Sequence, residues 1–123
     1  MNQEIFELKL KGYCCSQIIM ELGLQKLEKE NEDLIAAMAG FCDGLYQGRI
    51  CGILSAAICL LYLADPHEAN KTNVQDLSDW FQDVFDAVDC VDLLAGNPLN
   101  KIEKCPMMLD ATFTKVAELL DWD

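Results

Sequence analysis

No charged side chain interrupts the run from Ile50 to Ala64, Ile-Cys-Gly-Ile-Leu-Ser-Ala-Ala-Ile-Cys-Leu-Leu-Tyr-Leu-Ala, and apolar residues occupy every angular position around it. A helix that is apolar on all sides has to be covered on all sides. The run is shorter than the roughly 18 residues a membrane span needs. It therefore predicts the central helix of a bundle, about 20 Å long. The expectation for the whole chain is an all-α single domain over residues 1–123, with about five or six helices around residues 50–64.

The flanking segments supply the covering helices. Residues 3–11 read as a short amphipathic helix with Ile5, Phe6, Leu8 and Leu10 as its apolar members, broken by Gly12. A second helix opens at Tyr13-Cys14-Cys15-Ser16, turns Ile18, Ile19 and Leu22 inward, and is expected to end on Gly23 as a C-cap. Leu34–Ala39 forms a third, ending at Gly40. Thr72 and Gln75 have capping-box separation. After them, Val74, Leu77, Trp80, Phe81, Val84, Phe85 and Val88 recur at helical steps. Asp76, Asp79, Asp83 and Asp86 share the other face; they line up along the helix and do not converge, so they read as a solvated face. A last helix is expected to start at Cys105-Pro106, with proline at its first position and Cys105 at or near the N-cap.

The net charge is -12, from 21 acidic and 9 basic residues. Such a surface repels phosphate backbones and anionic lipid, so neither nucleic acid nor membrane is an expected partner. A basic redox protein or a second copy of the chain, as a homodimer, are the partners the composition leaves open. Residues 1–7 show no basic region followed by a long apolar stretch, so the expected location is cytoplasmic. Seven cysteines in a reducing compartment read as ligands, redox groups or core residues.

Cys15, Cys51, Cys90 and Cys105 each fall within about a turn of a predicted helix N-terminus, where backbone N–H groups and the helix dipole favour the thiolate. They are expected to converge beneath the Gly40–Gly48 loop. Gly48 and Gly52 would let backbone N–H groups approach a sulfur or an anion. Cys42, in that loop, is a reserve ligand. Cys14 adjoins Cys15, and in a vicinal pair usually only one member faces a given site. Cys59 lies roughly 12 Å beyond Cys51 along one helix and reads as core packing. No C-x-x-C pattern is present, which argues against thioredoxin-like motifs and common zinc ribbons. The single histidine, His67, follows a proline in a helix stop and reads as a surface residue.

With Cys15, the run Cys51-Gly52-Ile53-Leu54-Ser55-Ala56, Cys90 in Asp-Cys-Val-Asp-Leu-Leu, and Cys105, the chain resembles the C-GCAxxG-C-C family of small redox-active bacterial and archaeal proteins. The resemblance spans most of residues 13–120. Ile53 stands where the pattern has alanine and Ala56 where it has its final glycine. The resemblance implies a redox protein whose cysteines hold an iron–sulfur centre or cycle as thiols. Read on the residues alone, three functions stand. The first is a four-thiolate iron–sulfur or other metal centre for electron transfer or redox sensing. The second is a thiol–disulfide relay. The third is a partner-binding helical module with structural cysteines or a closed four-cysteine zinc site.

Overall fold

One tight helix crossing sets the arrangement. The computed structural model describes residues 2–122. In chain order the helices are α1 (Asn2–Leu10), α2 (Cys15–Lys26), α3 (Glu32–Ala37), α4 (Gly52–Ala64), α5 (Pro66–Glu68), α6 (Val74–Phe85), α7 (Cys90–Leu93) and α8 (Lys101–Leu119). The fold is all-α, and no strand occurs among the described residues. The segments beyond the expected five or six are short pieces, α5 and α7. None of the helices is long and apolar enough to cross a membrane among the described residues.

Helix α4 is the centre. Its contacts run to α2, α8 and α6, and α2 is its most extensive neighbour. Gly23 explains why: a Cβ there would collide with the Leu60 side chain. Gly23 is thus the close-approach point of α2 on α4. The helix continues past it to Lys26, contrary to the expected cap. Ile53, Leu54, Ala56, Ala57, Leu60 and Leu61 are buried, while Ile58 and Cys59 are half-buried and Tyr62 is exposed. The helix is covered on most of its circumference but not all of it. Tyr62 occupies the open side because its hydroxyl can donate to Asn70 Oδ1 at 3.3 Å. A single contiguous core joins α4 to Ile18, Ile19 and Met20 of α2, Leu77 and Phe81 of α6, and Leu109, Phe113 and Val116 of α8.

Elsewhere local chemistry sets the boundaries. Asn31 caps α3 by accepting from the Leu34 N–H at 3.0 Å. Asp65 caps the next start by accepting from Glu68 N–H at 3.2 Å, with Pro66 at the first position. From there the chain stays helical through a wide turn, residues 69–73, into α6. The expected Thr72–Gln75 capping box has no non-helical N-cap to form on, and the Thr72 hydroxyl instead lies 3.4 Å from Asn73 Oδ1. Leu77 and Phe81 form the buried stripe of α6, and Val84 is exposed. In α1, Ile5 and Leu8 are buried but Phe6 and Leu10 are exposed. Asp76, Asp79, Asp83 and Asp86 are all exposed, the last as a left-handed C-cap.

Candidate functional site

Every cysteine except Cys59 lines one small cavity, of about 30 Å³, where α2, α4, α7 and α8 meet under the loop that contains Asp43 and Gly44. Cys15 is the first residue of α2, Cys51 the N-cap of α4, and Cys90 the first residue of α7. Cys105 differs from expectation. Helix α8 begins at Lys101, so Cys105 sits in its second turn with Pro106 inside the helix. Pro106 gives up the bond to the Ile102 carbonyl and its ring crowds that carbonyl, yet the helix extends N-terminally past it.

Two devices position the thiols. An antiparallel bridge, Ile50 to Asp89, is flanked by the Cys51 N–H donating to the Val88 carbonyl at 2.8 Å and the Cys90 N–H donating to the Arg49 carbonyl at 2.7 Å. Alternation along an extended backbone then puts Cys51 and Cys90 on the face opposite Ile50, whose side chain is 46% exposed. The second device is the loop before it. Asp43, Gly44, Leu45 and Tyr46 follow one another with positive φ, a left-handed turn that costs a non-glycine residue about 1–2 kcal/mol. The Tyr46 hydroxyl helps hold it by donating to the Ala39 carbonyl at 2.8 Å. An ion pair between Lys101 and Asp43 ties the loop to the start of α8.

The turn brings Cys42 against α2, where it forms a disulfide with Cys14 (Cα–Cα 6.1 Å, 28 residues apart). Sequence reasoning missed this pair. It left Cys42 as a reserve ligand near Cys51 and expected one of Cys14 and Cys15 to face away, yet both line the cavity. The signal available was the coincidence of a vicinal pair with a cysteine in a glycine-rich loop. Ser16, fully buried, sits beneath the bridge: its hydroxyl donates to the Met38 carbonyl at 2.7 Å and lies 3.1 Å from Cys14 Sγ and 3.5 Å from Cys42 Sγ.

The expected glycine roles resolve differently. A Cβ on Gly52 would strike the Phe41 carbonyl and crowd Ser16, so this glycine admits the backbone of the loop's approach. Gly48 lies against Val91 and outside the cysteine cavity, in a separate groove that Cys90 also lines.

The thiols are not electrostatically alike. Cys15 is held below its ordinary value of 9.0, first by a hydrogen bond from the Cys105 thiol, against the cost of burial, and with help from the charges of Lys9 and Lys101. Cys105 is correspondingly pushed up, because its proton is the one shared with Cys15 and its surroundings are buried. Burial raises Cys51 to about 11, although the Ile53 and Leu54 N–H groups of the helix start pull the other way. Cys90 is raised by burial, then by Cys105 and Asp43. A helix N-terminus was expected to favour the thiolate at all four positions. Desolvation outweighs it at Cys51 and Cys90, and only Cys15 is depressed.

Among the described residues, no three Cys, His, Asp or Glu side chains are arranged to hold a metal ion. The cavity has about the liquid volume of one water molecule. Cys14 and Cys42 are consumed in a disulfide. As placed, this donor set does not fit an iron–sulfur cluster or a four-cysteine zinc ion, whose metal–sulfur bonds run about 2.3 Å.

Four thiols and a disulfide lining one cavity of an all-α bundle make up the site of a small cysteine-based redox protein. The family comparison agrees. The chain belongs to the C_GCAxxG_C_C family, whose description reads "Putative redox-active protein" and whose model matches residues 13–119. No curated protein and no solved structure matches it.

Proposed function

We propose that the protein carries electrons by thiol–disulfide exchange, with Cys15 and Cys105 as the working couple. The observation that supports this reading is that both thiols line the same small cavity, Cys15 at the start of α2 and held below its ordinary value, Cys105 raised beside it. A thiolate is the attacking species, and a partner thiol in contact is the resolving one. The Cys15 thiolate attacks one sulfur of a disulfide, forms a mixed disulfide and releases a thiolate. Cys105 then gives its proton to that released thiolate, and its sulfur displaces the second half. The net change is Cys15–S⁻ plus Cys105–SH plus RS–SR′ giving the Cys15–Cys105 disulfide, one thiol and one thiolate. The Cys14–Cys42 disulfide supplies a second couple in the same cavity. Cys51, with its thiol held neutral, serves as packing at the base of the site.

The test is stoichiometric oxidation of the reduced protein with hydroxyethyl disulfide, followed by peptide mapping. A linked Cys15–Cys105 peptide is expected, with Cys105→Ser arrested as the mixed disulfide on Cys15. Anaerobically purified protein that absorbs in the visible, and loses that absorbance with Cys15→Ser, would instead establish a metal cluster and overturn the relay.

A further inference from the structure

We propose that the compounds reduced by Cys15 are small disulfides bearing carboxylates, admitted through a lysine-lined cleft. This rests on the thiol–disulfide reading above and adds its substrate class. A cleft of about 320 Å³ is lined by Lys9, Gly12, Tyr13, Cys14, Cys15 and Lys101. Its volume falls at the lower end of the range of about 300–1,000 Å³ typical of small-molecule sites. Cys15 lines this cleft on one side and the inner cavity shared with Cys105 on the other. It is therefore the thiol at which an entering compound first meets the couple.

The charge of the cleft runs against that of the molecule. The chain carries a net charge of -12, yet both titratable side chains at this opening other than cysteine and tyrosine are lysines, and no carboxylate lines it. Lys101 shares its charge with Asp43. Lys9, half-buried at the end of α1, has no carboxylate partner among the described residues. A free ammonium beside a sulfur nucleophile has two uses: it holds the thiolate, and it holds an anionic group on whatever the thiolate attacks. A carboxylate seated on Lys9 places the compound's sulfur–sulfur bond toward Cys15. The bond that forms joins Cys15 Sγ to the near sulfur, and the compound's own sulfur–sulfur bond breaks. The leaving thiolate takes the Cys105 proton, and Cys105 completes the exchange. An otherwise acidic protein would draw in cationic disulfides first. The local lysines reverse that order at this one opening.

Three disulfides of similar size separate these cases: dithiodipropionate (anionic), hydroxyethyl disulfide (neutral) and cystamine (cationic). Rates are read on the whole reduced protein, as mixed disulfide at Cys15 by quenched peptide mapping, at low ionic strength. The expected order is dithiodipropionate, then hydroxyethyl disulfide, then cystamine. Lys9→Gln should lower the anionic-to-neutral rate ratio by about tenfold, and Lys9→Glu should invert it. Lys29→Gln, an equal charge change in the segment after the C-terminal end of α2, should leave the ratio where it was. Cystamine reacting fastest with the native protein, or a ratio indifferent to Lys9, overturns the substrate class while leaving the exchange chemistry intact. No reaction at Cys15 with any of the three overturns both.

Discussion

Cys15 and Cys90 line the same cavity from opposite kinds of structure. Cys15 begins a twelve-residue helix that is locked against α4 at Gly23 and shares the main core. Cys90 begins a four-residue helix set against the start of α4 by a single bridge and beside a loop that is partly left-handed. Cys15 is buried and its thiol is depressed; Cys90 is half-buried and its thiol is raised. Burial alone would order the two the other way. At Cys15 what lies beside the sulfur, a donor thiol and two lysines, outranks how deep it lies, whereas at Cys90 burial comes first and Cys105 and Asp43 add to it. The rigid, α2 side of the cavity thus carries the depressed thiol and the opening beside Lys9 and Lys101, and the loop side carries the raised one.

The largest effect comes from breaking the rigid side. Leu61 is fully buried in α4, and Leu61→Asp should cost several kcal/mol and unfold the domain, because an unpaired charge would enter the core. Ile58→Asp, on the half-open side of the same helix, should be markedly milder. Equal melting temperatures for the two variants would contradict the uneven covering of α4.

The next effect is the pH dependence of Cys51. Its thiol is held at about 11 in the folded protein against an ordinary 9.0. A group raised on folding contributes stability that is full below its unfolded value and is lost as pH rises through its folded value. Between pH 9 and 11 the folded state keeps a proton that the unfolded state has lost, so stability should fall across that window. The loss attributable to Cys51 is about 3 kcal/mol, at 1.36 kcal/mol per unit. Denaturant titrations at several pH values, on the native protein and Cys51→Ala, check it. The variant should show a shallower decline, and identical slopes would mean that burial does not hold Cys51 neutral.

Much of this division was legible in the sequence. The uncharged run at 50–64 could only be a covered helix, and the covering segments carried helical spacing of their own. Cys15, Cys51, Cys90 and Cys105, each near a predicted helix start, suggested a shared site without showing that those helix ends meet. What stayed hidden depended on contacts between distant segments. Gly23 has the same letter whether it ends a helix or lets Leu60 approach it. Leu45 and Tyr46 give no hint of left-handed backbone, since that region favours glycine, and without that turn Cys42 has no reason to reach Cys14 across 28 residues. Pro106 marked a helix start by preference, yet α8 runs on N-terminally past it, and nothing in the sequence signals that the helix would accept that cost. The sign of each thiol's shift could not be read at all, because desolvation and a neighbouring thiol act only once the chain is folded.

The smallest effect is also the most specific to the loop side. The Asp43–Lys101 pair is partly exposed, with side chains 46% and 37% accessible, and a pair so open to water is worth about 0–1 kcal/mol. Asp43→Asn should therefore leave the melting temperature almost unchanged. Its electrostatic consequence should still be visible at Cys90. Asp43 raises that thiol and Lys101 lowers it, so removing the carboxylate takes away one opposing charge and frees the other. At pH 8 a larger fraction of Cys90 would be thiolate, and its alkylation by iodoacetamide should speed up about two- to fivefold. Looser tethering of the loop would act in the same direction, so a second variant separates the causes. Lys101→Met also breaks the tether but removes the cation, and it should slow Cys90. If both variants speed it equally, access governs this thiol, and the electrostatic half of the contrast with Cys15 fails.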